Sequence, residues 1–88
     1  MKIKSSKGIE YDAEWIGGPT GIMHEIYCEM NDPRPIGVIA AEFEGAELTR
    51  IERDGTEKPY AGFTELASIG RMDEGTLTRI SMRKPKEE

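Results

Sequence analysis

The residues that could support nucleophilic catalysis are the only cysteine, Cys28, and the only histidine, His24. A histidine activates a thiol only when its ring lies within hydrogen-bond reach of the sulfur. On a strand, residues four positions apart are separated by roughly 13 Å, whereas on a helix they approach each other. We interpret Cys28 as a small core thiol and His24 as a half-exposed imidazole, and we expect no catalytic residue.

Acidic residues form the second group that could do chemistry. Glu10, Asp12 and Glu14 alternate along the chain, so a strand would place them on one face, beside Glu25 and Glu29. Clustered carboxylates bind hard cations or act as general acid–base pairs. However, no glycine stands where a calcium loop needs its sharp turn, and one cysteine with one histidine cannot build a structural zinc site. We expect a solvated face that keeps a strand edge soluble, with no metal and no cofactor.

A glycine-rich segment, Gly17-Gly18-Pro19-Thr20-Gly21, superficially resembles a phosphate-binding loop. It lacks the Lys-Ser/Thr pair of a P-loop and the spacing of a dinucleotide-binding fingerprint. The segment is therefore interpreted as a turn.

Basic residues concentrate in the C-terminal part of the chain. Residues 1–47 carry 4 basic and 9 acidic side chains, whereas residues 48–88 carry 8 of each, so the net charge of -5 belongs to the first part. Four of these basic residues could bind an acidic partner or a phosphate group if they share one face of the sheet. This candidate interaction face consists of Arg71, Arg79, Arg83 and Lys84. The interspersed Glu52, Glu57 and Glu65 favour cross-strand ion pairs instead.

The elements that would position these residues are short. Ile9, Tyr11, Ala13 and Trp15 alternate with acidic residues, which predicts a strand with Trp15 in the core. The segment 22–30 is compatible with a strand or with a helix, and we favour the strand because an antiparallel partner precedes it.

One helix is predicted from about Pro35 to Glu44, since Ile36, Ile39, Ala40 and Phe43 follow helical spacing and Gly45 can end the helix. The second half predicts two hairpins. One has the two-residue turn Asp54-Gly55, with Pro59 restricted to an edge strand or a strand end, and the other turns at Asp73-Glu74-Gly75. Tyr60-Ala61-Gly62-Phe63 predicts a corner between strands.

These elements predict an α+β fold: a mostly antiparallel sheet of six or seven short strands with one helix, about 35–44, packed on it. We expect a single small domain over 1–83 and a frayed tail over 84–88. Leu, Ile, Val and Phe make up only 16 of 88 residues, so the core should be thin. No apolar run approaches the ~20 residues that cross a bilayer, and no apolar segment after Met1–Lys4 suggests a signal peptide.

Several packing and turn residues resemble small uncharacterised proteins of Gram-positive prophages and mobile elements, often encoded among tail genes. The resemblance lies in Trp15-Ile16-Gly17-Gly18, Ile39-Ala40-Ala41-Glu42-Phe43, Tyr60-Ala61-Gly62-Phe63-Thr64-Glu65-Leu66 and Met82-Arg83-Lys84. It covers nearly the whole chain, departs from those proteins at Gly21–Met30, and implies an accessory protein of a virion or mobile element.

The combined expectation is a non-enzymatic structural or protein-interaction protein that binds itself or another element-encoded protein through exposed strand edges. The alternative is a small accessory protein that binds nucleic acid through a basic face of the C-terminal hairpins, which the net charge of -5 disfavours. We expect a cytoplasmic protein, or one assembled into a virion, and no membrane association.

Overall fold

The computed structural model describes residues 1–20, 24–71, 75 and 77–85. Within these residues the chain forms eight strands and one helix: β1 (Lys2–Ser5), β2 (Glu10–Asp12), β3 (Trp15–Gly17), β4 (Glu25–Asn31), α1 (Ile36–Phe43), β5 (Leu48–Ile51), β6 (Glu57–Pro59), β7 (Glu65–Arg71) and β8 (Leu77–Arg83). The predicted antiparallel α+β fold is confirmed. The described residues form eight strands where six or seven were expected, and these strands form two sheets instead of one.

Each sheet has four antiparallel strands. Sheet A has the order β2-β1-β5-β6, and sheet B has the order β3-β4-β8-β7. Both sheets therefore combine two strands that precede the helix with two strands that follow it. Buried side chains from both sheets and the helix form one apolar cluster: Ile3, Tyr11, Ala13, Ile16, Ile26, Cys28, Met30, Ile39, Phe43, Leu48, Tyr60, Phe63, Ile80 and Met82.

The chain crosses from sheet A to sheet B between Ala13 and Glu14. The amide of Ala13 donates to the carbonyl of Met1 at 2.8 Å, whereas the amide of Glu14 donates to the carbonyl of Glu29 at 2.8 Å. The crossing interrupts the strand predicted over Ile9–Trp15 and shifts the alternation by one residue. The prediction of a buried Trp15 is therefore wrong: its side chain is 45% exposed, and Ile16 occupies the core instead.

The ambiguous segment before the helix is a strand over Glu25–Asn31, as favoured. Residues 21–23, including the start of the predicted segment at Ile22, lie outside the described residues. β4 pairs with β3 on one side and with β8 on the other. A strand between two others directs alternate side chains into the core, and Ile26, Cys28 and Met30 are buried on that side.

The helix lies within the predicted range and buries Ile39 and Phe43. Ile36 and Val38 remain exposed, because eight residues present only a narrow face to the sheets. The ring of Phe43 stacks on that of Tyr11, with 4.7 Å between their centroids. At the C-terminal end, Lys7 Nζ donates to the carbonyls of Ala41 (3.0 Å) and Glu44 (2.6 Å), which satisfies orphan acceptors and complements the helix dipole.

The first predicted hairpin joins β5 to the edge strand β6, which ends at Pro59 as expected. Its loop is longer than the two residues predicted. The amide of Gly55 donates to the carbonyl of Glu52 at 3.0 Å, and the amide of Glu52 donates to the carbonyl of Thr56 at 2.8 Å. Three residues, 53–55, therefore form the loop, with Gly55 at a φ of 89°.

The second predicted hairpin is confirmed by the pairing of β7 with β8. Of its turn, residues 72–74 and 76 lie outside the described part of the chain, as do residues 86–88 of the predicted tail. The predicted corner connects β6 of sheet A with β7 of sheet B. There the amide of Phe63 donates to the carbonyl of Tyr60 at 3.3 Å, and Gly62 has a φ of 86°.

Candidate interaction surface and charged network

Arg71, a member of the predicted basic face, lies on the core side of sheet B. It pairs in register with the buried Thr78. Its Nη2 donates to the carbonyl of Asp32 at 2.9 Å and to the carbonyl of Arg34 at 2.6 Å. Arg71 therefore holds the segment before the helix against β7 and does not share a face with the other predicted basic residues.

Arg79 and Arg83 do share a face, on the solvent side of β8. Arg79 Nη2 donates to Glu29 Oε1 of β4 at 2.8 Å, and Arg83 Nε donates to Glu65 Oε2 of β7 at 2.7 Å. The contact with Glu65 raises the pKa of the Arg83 guanidinium. Each arginine thus forms a cross-strand ion pair, as favoured, but only Arg83 pairs with one of the glutamates named from the sequence, whereas Arg79 pairs with Glu29. These pairs tie β8 to both neighbouring strands.

Lys84 follows the end of β8 and lies in a different environment. Its Nζ is 5.3 Å from the ring centroid of Phe63, within cation–π range. It also lines a shallow cleft of about 360 Å³ together with His24, Glu25 and Arg83. The four predicted basic residues are therefore divided among the core side of sheet B, its solvent side and this cleft.

The solvent side of sheet B, which we call the outer face, is built from three cross-strand rows. The register of the four strands gives a first row of Trp15, Glu29, Arg79 and Gly70, a central row of Gly17, Tyr27, Ser81 and Ser68, and a third row of Glu25, Arg83 and Glu65. The two aromatic side chains of the first two rows lie on β3 and β4, whereas β7 and β8 contribute Gly70, Ser68 and Ser81 together with Arg79. Ion pairs thus border a central row of one aromatic and three small residues.

Trp15 is held in place by its neighbour on the same side of β3. The indole covers Gly17 so closely that a Cβ at that position would meet the ring. An aromatic side chain that covers a glycine on an edge strand is a recognised way of stabilising that strand. The Trp15-Ile16-Gly17 sequence is the signal that could have identified this arrangement, because residues two apart on a strand share a face.

A second charged network joins the helix to the segment that precedes it. Arg34 Nη2 donates to Asp32 Oδ2 at 2.8 Å, and Arg34 Nη1 donates to Glu42 Oε2 at 2.7 Å. Tyr11 Oη donates to Glu42 Oε1 at 2.8 Å. The hydrogen bonds of Arg34 to both carboxylates keep the pKa values of Asp32 and Glu42 below their usual range. They also raise the pKa of Arg34.

Tyr11 completes this network from sheet A. Burial and the hydrogen bond to Glu42 raise its pKa, so the phenol stays protonated. Both carboxylates bind the same guanidinium, and Asp32 Oδ1 also accepts from the amide of Arg34 at 3.0 Å. A network that satisfies its own members ties the helix to β2 and to the segment after β4, and we interpret its role as structural.

The predicted core thiol is observed, whereas the imidazole that was expected to be half-exposed is exposed. Cys28 is 1% exposed, and burial raises its pKa to about 12, so almost no thiolate exists at neutral pH. His24 is exposed just before β4. A buried, protonated thiol is a poor nucleophile.

The acidic residues singled out in the sequence lie on both sheets and do not form one site. Asp12 pairs with Lys2 at 3.4 Å on sheet A, Glu14 accepts from Asn31 Nδ2 at 3.1 Å, and Glu29 pairs with Arg79. In the described part of the chain, no group of three or more His, Cys, Asp or Glu side chains is placed to hold a metal ion. Nor is any helix there long and apolar enough to span a membrane.

Comparisons of the chain with models of protein families, with characterised proteins and with solved structures give no significant match. The function proposed below rests on the residues and contacts of the chain itself.

Proposed function

We propose that this chain is a non-enzymatic protein-interaction domain that binds a flat protein surface through the outer face of sheet B. The observation that carries the proposal is an exposed tryptophan on a regular strand, 45% accessible, beside Tyr27. Tryptophan, tyrosine and arginine are the residues that most often dominate binding energy at protein interfaces. Arg79 stands in the same cross-strand row as Trp15, and Arg83 stands four residues further along β8.

The rigidity of this face supports a binding role. Trp15 is packed on Gly17, and Arg79 and Arg83 are held by carboxylates of the neighbouring strands. Side chains that are already ordered lose little conformational entropy when a partner binds. The face therefore presents its indole and its charges in one arrangement before any encounter.

The flatness of the face defines the chemistry of the partner. Gly17, Ser68, Gly70 and Ser81 leave no side chain that projects beyond the aromatic rings and the ion pairs. A complementary surface needs a recess for the indole and charges of both signs at its borders. Such a surface belongs to a folded protein, since a bare phosphate backbone offers charge of one sign only.

The non-enzymatic part of the proposal is supported by the state of the reactive groups. The thiol of Cys28 is buried and protonated, and the carboxylates of Asp32 and Glu42 both bind Arg34. An open cleft of about 730 Å³ is lined by Met1, Ala13, Glu14, Glu52, Arg53 and Asp54, which bring no cysteine or histidine to it. These groups lack the pairing of a nucleophile with a base that covalent catalysis requires.

The proposed setting is a virion or mobile element of a Gram-positive bacterium, as the resemblance implies, or else the cytoplasm. The alternative, binding of nucleic acid through the C-terminal hairpins, has less support. Arg79 and Arg83 are neutralised by Glu29 and Glu65, and Arg71 faces the core. Phosphate contacts depend on accessible positive charge, which these pairs reduce.

Site-specific photo-cross-linking in cells that produce the chain tests the proposal. A benzophenone-bearing phenylalanine replaces Tyr27 on the outer face or, as a control, Lys4 on the solvent side of sheet A. We expect discrete cross-linked protein species from position 27 and none from position 4. Equal products from both positions, or none from position 27, would contradict a binding role for the outer face.

A further inference from the structure

We propose that the outer face binds a second copy of the same chain, related by a two-fold axis that runs parallel to β4 and β8 and midway between them. This inference rests on the proposed function and names the partner of the same surface. Because the strands of sheet B have the order β3-β4-β8-β7, such an axis places β4 over β8 of the second copy and β3 over its β7. Every contact described below then occurs twice.

Side-chain sizes are complementary under this rotation. Trp15 faces Gly70 of the second copy and, because its indole extends over Gly17, it also faces the exposed Ser68 of that copy. Tyr27 lies over Ser81 of the second copy, a small residue that is itself only 1% exposed. Each of the two aromatic side chains, on β3 and on β4, thus meets small residues on β7 or β8 of the second copy. Gly70 is exposed, and its position has no neighbour within 4 Å of where a Cβ would stand, so it leaves room for an indole.

Charges are complementary as well. Glu29 faces Arg79 of the second copy, and Glu25 faces Arg83 of the second copy, because the acids lie on β4 and the arginines on β8. The other two-fold axis in the plane of the sheet, perpendicular to the strands, would place β4 over β4. It would then oppose Glu25 to Glu29 and Arg79 to Arg83, and like charges at an interface are strongly unfavourable. The charge pattern therefore selects the axis parallel to the strands.

The size of the face predicts a dissociable dimer. Four strands at about 4.8 Å and seven residues at about 3.3 Å give roughly 440 Å² per copy. Stable complexes bury about 800 Å² on each partner, so this interface belongs to the weak class with dissociation constants in the micromolar range. Two sheets packed in this way lie about 10 Å apart with strands inclined by about 30°.

Sedimentation equilibrium of the purified chain, over concentrations from about 1 μM to about 1 mM, tests the inference. Gly70→Val blocks the position that receives the indole, and its Cβ meets nothing in the monomer. We expect this variant to weaken the dimer by at least about tenfold, as loss of a tryptophan contact does at other interfaces. Lys4→Val, on the solvent side of sheet A, adds the same side chain elsewhere and should leave association unchanged.

A charge exchange tests the pairing across the axis. Arg79→Glu opposes two carboxylates within one copy and between copies, so it should abolish the dimer. The double change Glu29→Arg with Arg79→Glu recreates both the internal pair and the pair between copies, and it should restore association. Circular dichroism verifies that each variant is folded.

The outcomes separate the two proposals. A chain that stays monomeric at about 1 mM, while position 27 cross-links to a different protein, overturns the second-copy inference and leaves the interaction function standing. A dimer that Gly70→Val and Arg79→Glu do not weaken overturns the placement of the dimer on this face. A monomer without cross-links at position 27 contradicts both.

Discussion

Replacing Arg34 with methionine should lower the free energy of unfolding more than replacement of any fully exposed arginine. The guanidinium holds Asp32 through Nε (3.0 Å) and Nη2 (2.8 Å), and it holds Glu42 through Nη1 (2.7 Å) and Nη2 (3.0 Å). Methionine keeps much of the apolar stem, so the change removes chiefly the charge and its hydrogen bonds. The carboxylates of Asp32 and Glu42 are then left to repel each other.

The magnitude follows from the burial of the three side chains. Exposed ion pairs contribute about 0–1 kcal/mol, and removal of one partner from a buried pair costs about 3–5 kcal/mol. Here the side chain of Arg34 is 41% exposed, that of Asp32 11% and that of Glu42 21%. An intermediate loss of about 2 kcal/mol is expected, out of the roughly 4–13 kcal/mol available to a chain of this length. The corresponding decrease in Tm is about 10 °C.

Urea denaturation followed by far-ultraviolet circular dichroism measures this loss, with Arg53→Met in the exposed β5–β6 loop as the matched control. A second readout is pH. The folded pKa values of Asp32 and Glu42 lie below the ordinary 3.8 and 4.5, so the unfolded chain binds more protons in acid. The two carboxylates therefore contribute fully to the free energy of unfolding above about pH 5, and this contribution is lost as the pH falls through their folded pKa values.

The acid dependence distinguishes the network from a general packing effect. In Arg34→Met the loss of stability between pH 5 and pH 3 should be shallower than in the unchanged chain, because the carboxyl pKa values return toward their ordinary range. A loss below about 0.5 kcal/mol at pH 7, equal to that of Arg53→Met, would refute the reasoning. So would an unchanged acid dependence.

Three further outcomes are expected. Phe43→Ala should cost about 3–5 kcal/mol in urea denaturation, since this fully buried ring stacks on Tyr11, and a loss below about 1 kcal/mol would contradict its place in the core. Gly18→Ala should lower the Tm strongly, because Gly18 has a φ of 79° and a Cβ there would meet the carbonyl of Glu25; an unchanged Tm would refute that geometry. The thiol of Cys28 should react with a disulfide reagent in urea and resist it in buffer, whereas fast reaction in buffer would be inconsistent with its burial.

Sequence patterns predicted the elements whose signals are local. The helix was predicted from three- and four-residue spacing, the β5–β6 hairpin from Asp54-Gly55, and the buried face of β8 from the alternation of Thr78, Ile80 and Met82. Each of these signals arises within about ten residues. Local steric and hydrophobic preferences are sufficient to determine them.

The exposure of Trp15 could not be predicted in this way. The alternation from Ile9 continues through Trp15 without interruption in the sequence, but the chain changes sheets after Ala13. That change depends on Met1 and Glu29 as hydrogen-bond partners from two different sheets. A shift of one residue reverses which side chains face the core, and nothing in the local pattern marks it.

Which face of sheet B carries Arg71 also could not be predicted, because it depends on the pairing register of β7 with β8. Its pairing with Thr78 places it on the core side, whereas Arg79 and Arg83 lie on the outer face. An irregularity between Leu66 and Ser68 also shifts the alternation of β7. The charged network joins Tyr11 to Glu42 across 31 positions of the chain, a separation at which no spacing rule applies.

The distribution of strands between the sheets has a consequence for folding. Sheet A and sheet B each take two strands from before the helix and two from after it, so neither half of the chain contains a complete sheet. The central pairs β1–β5 and β4–β8 join distant parts of the chain, with Arg79 and Glu29 separated by 50 positions. Such distant pairing predicts slow, cooperative folding, and two fragments divided at Gly45 would be unfolded separately and would regain both sheets only as a reassembled pair.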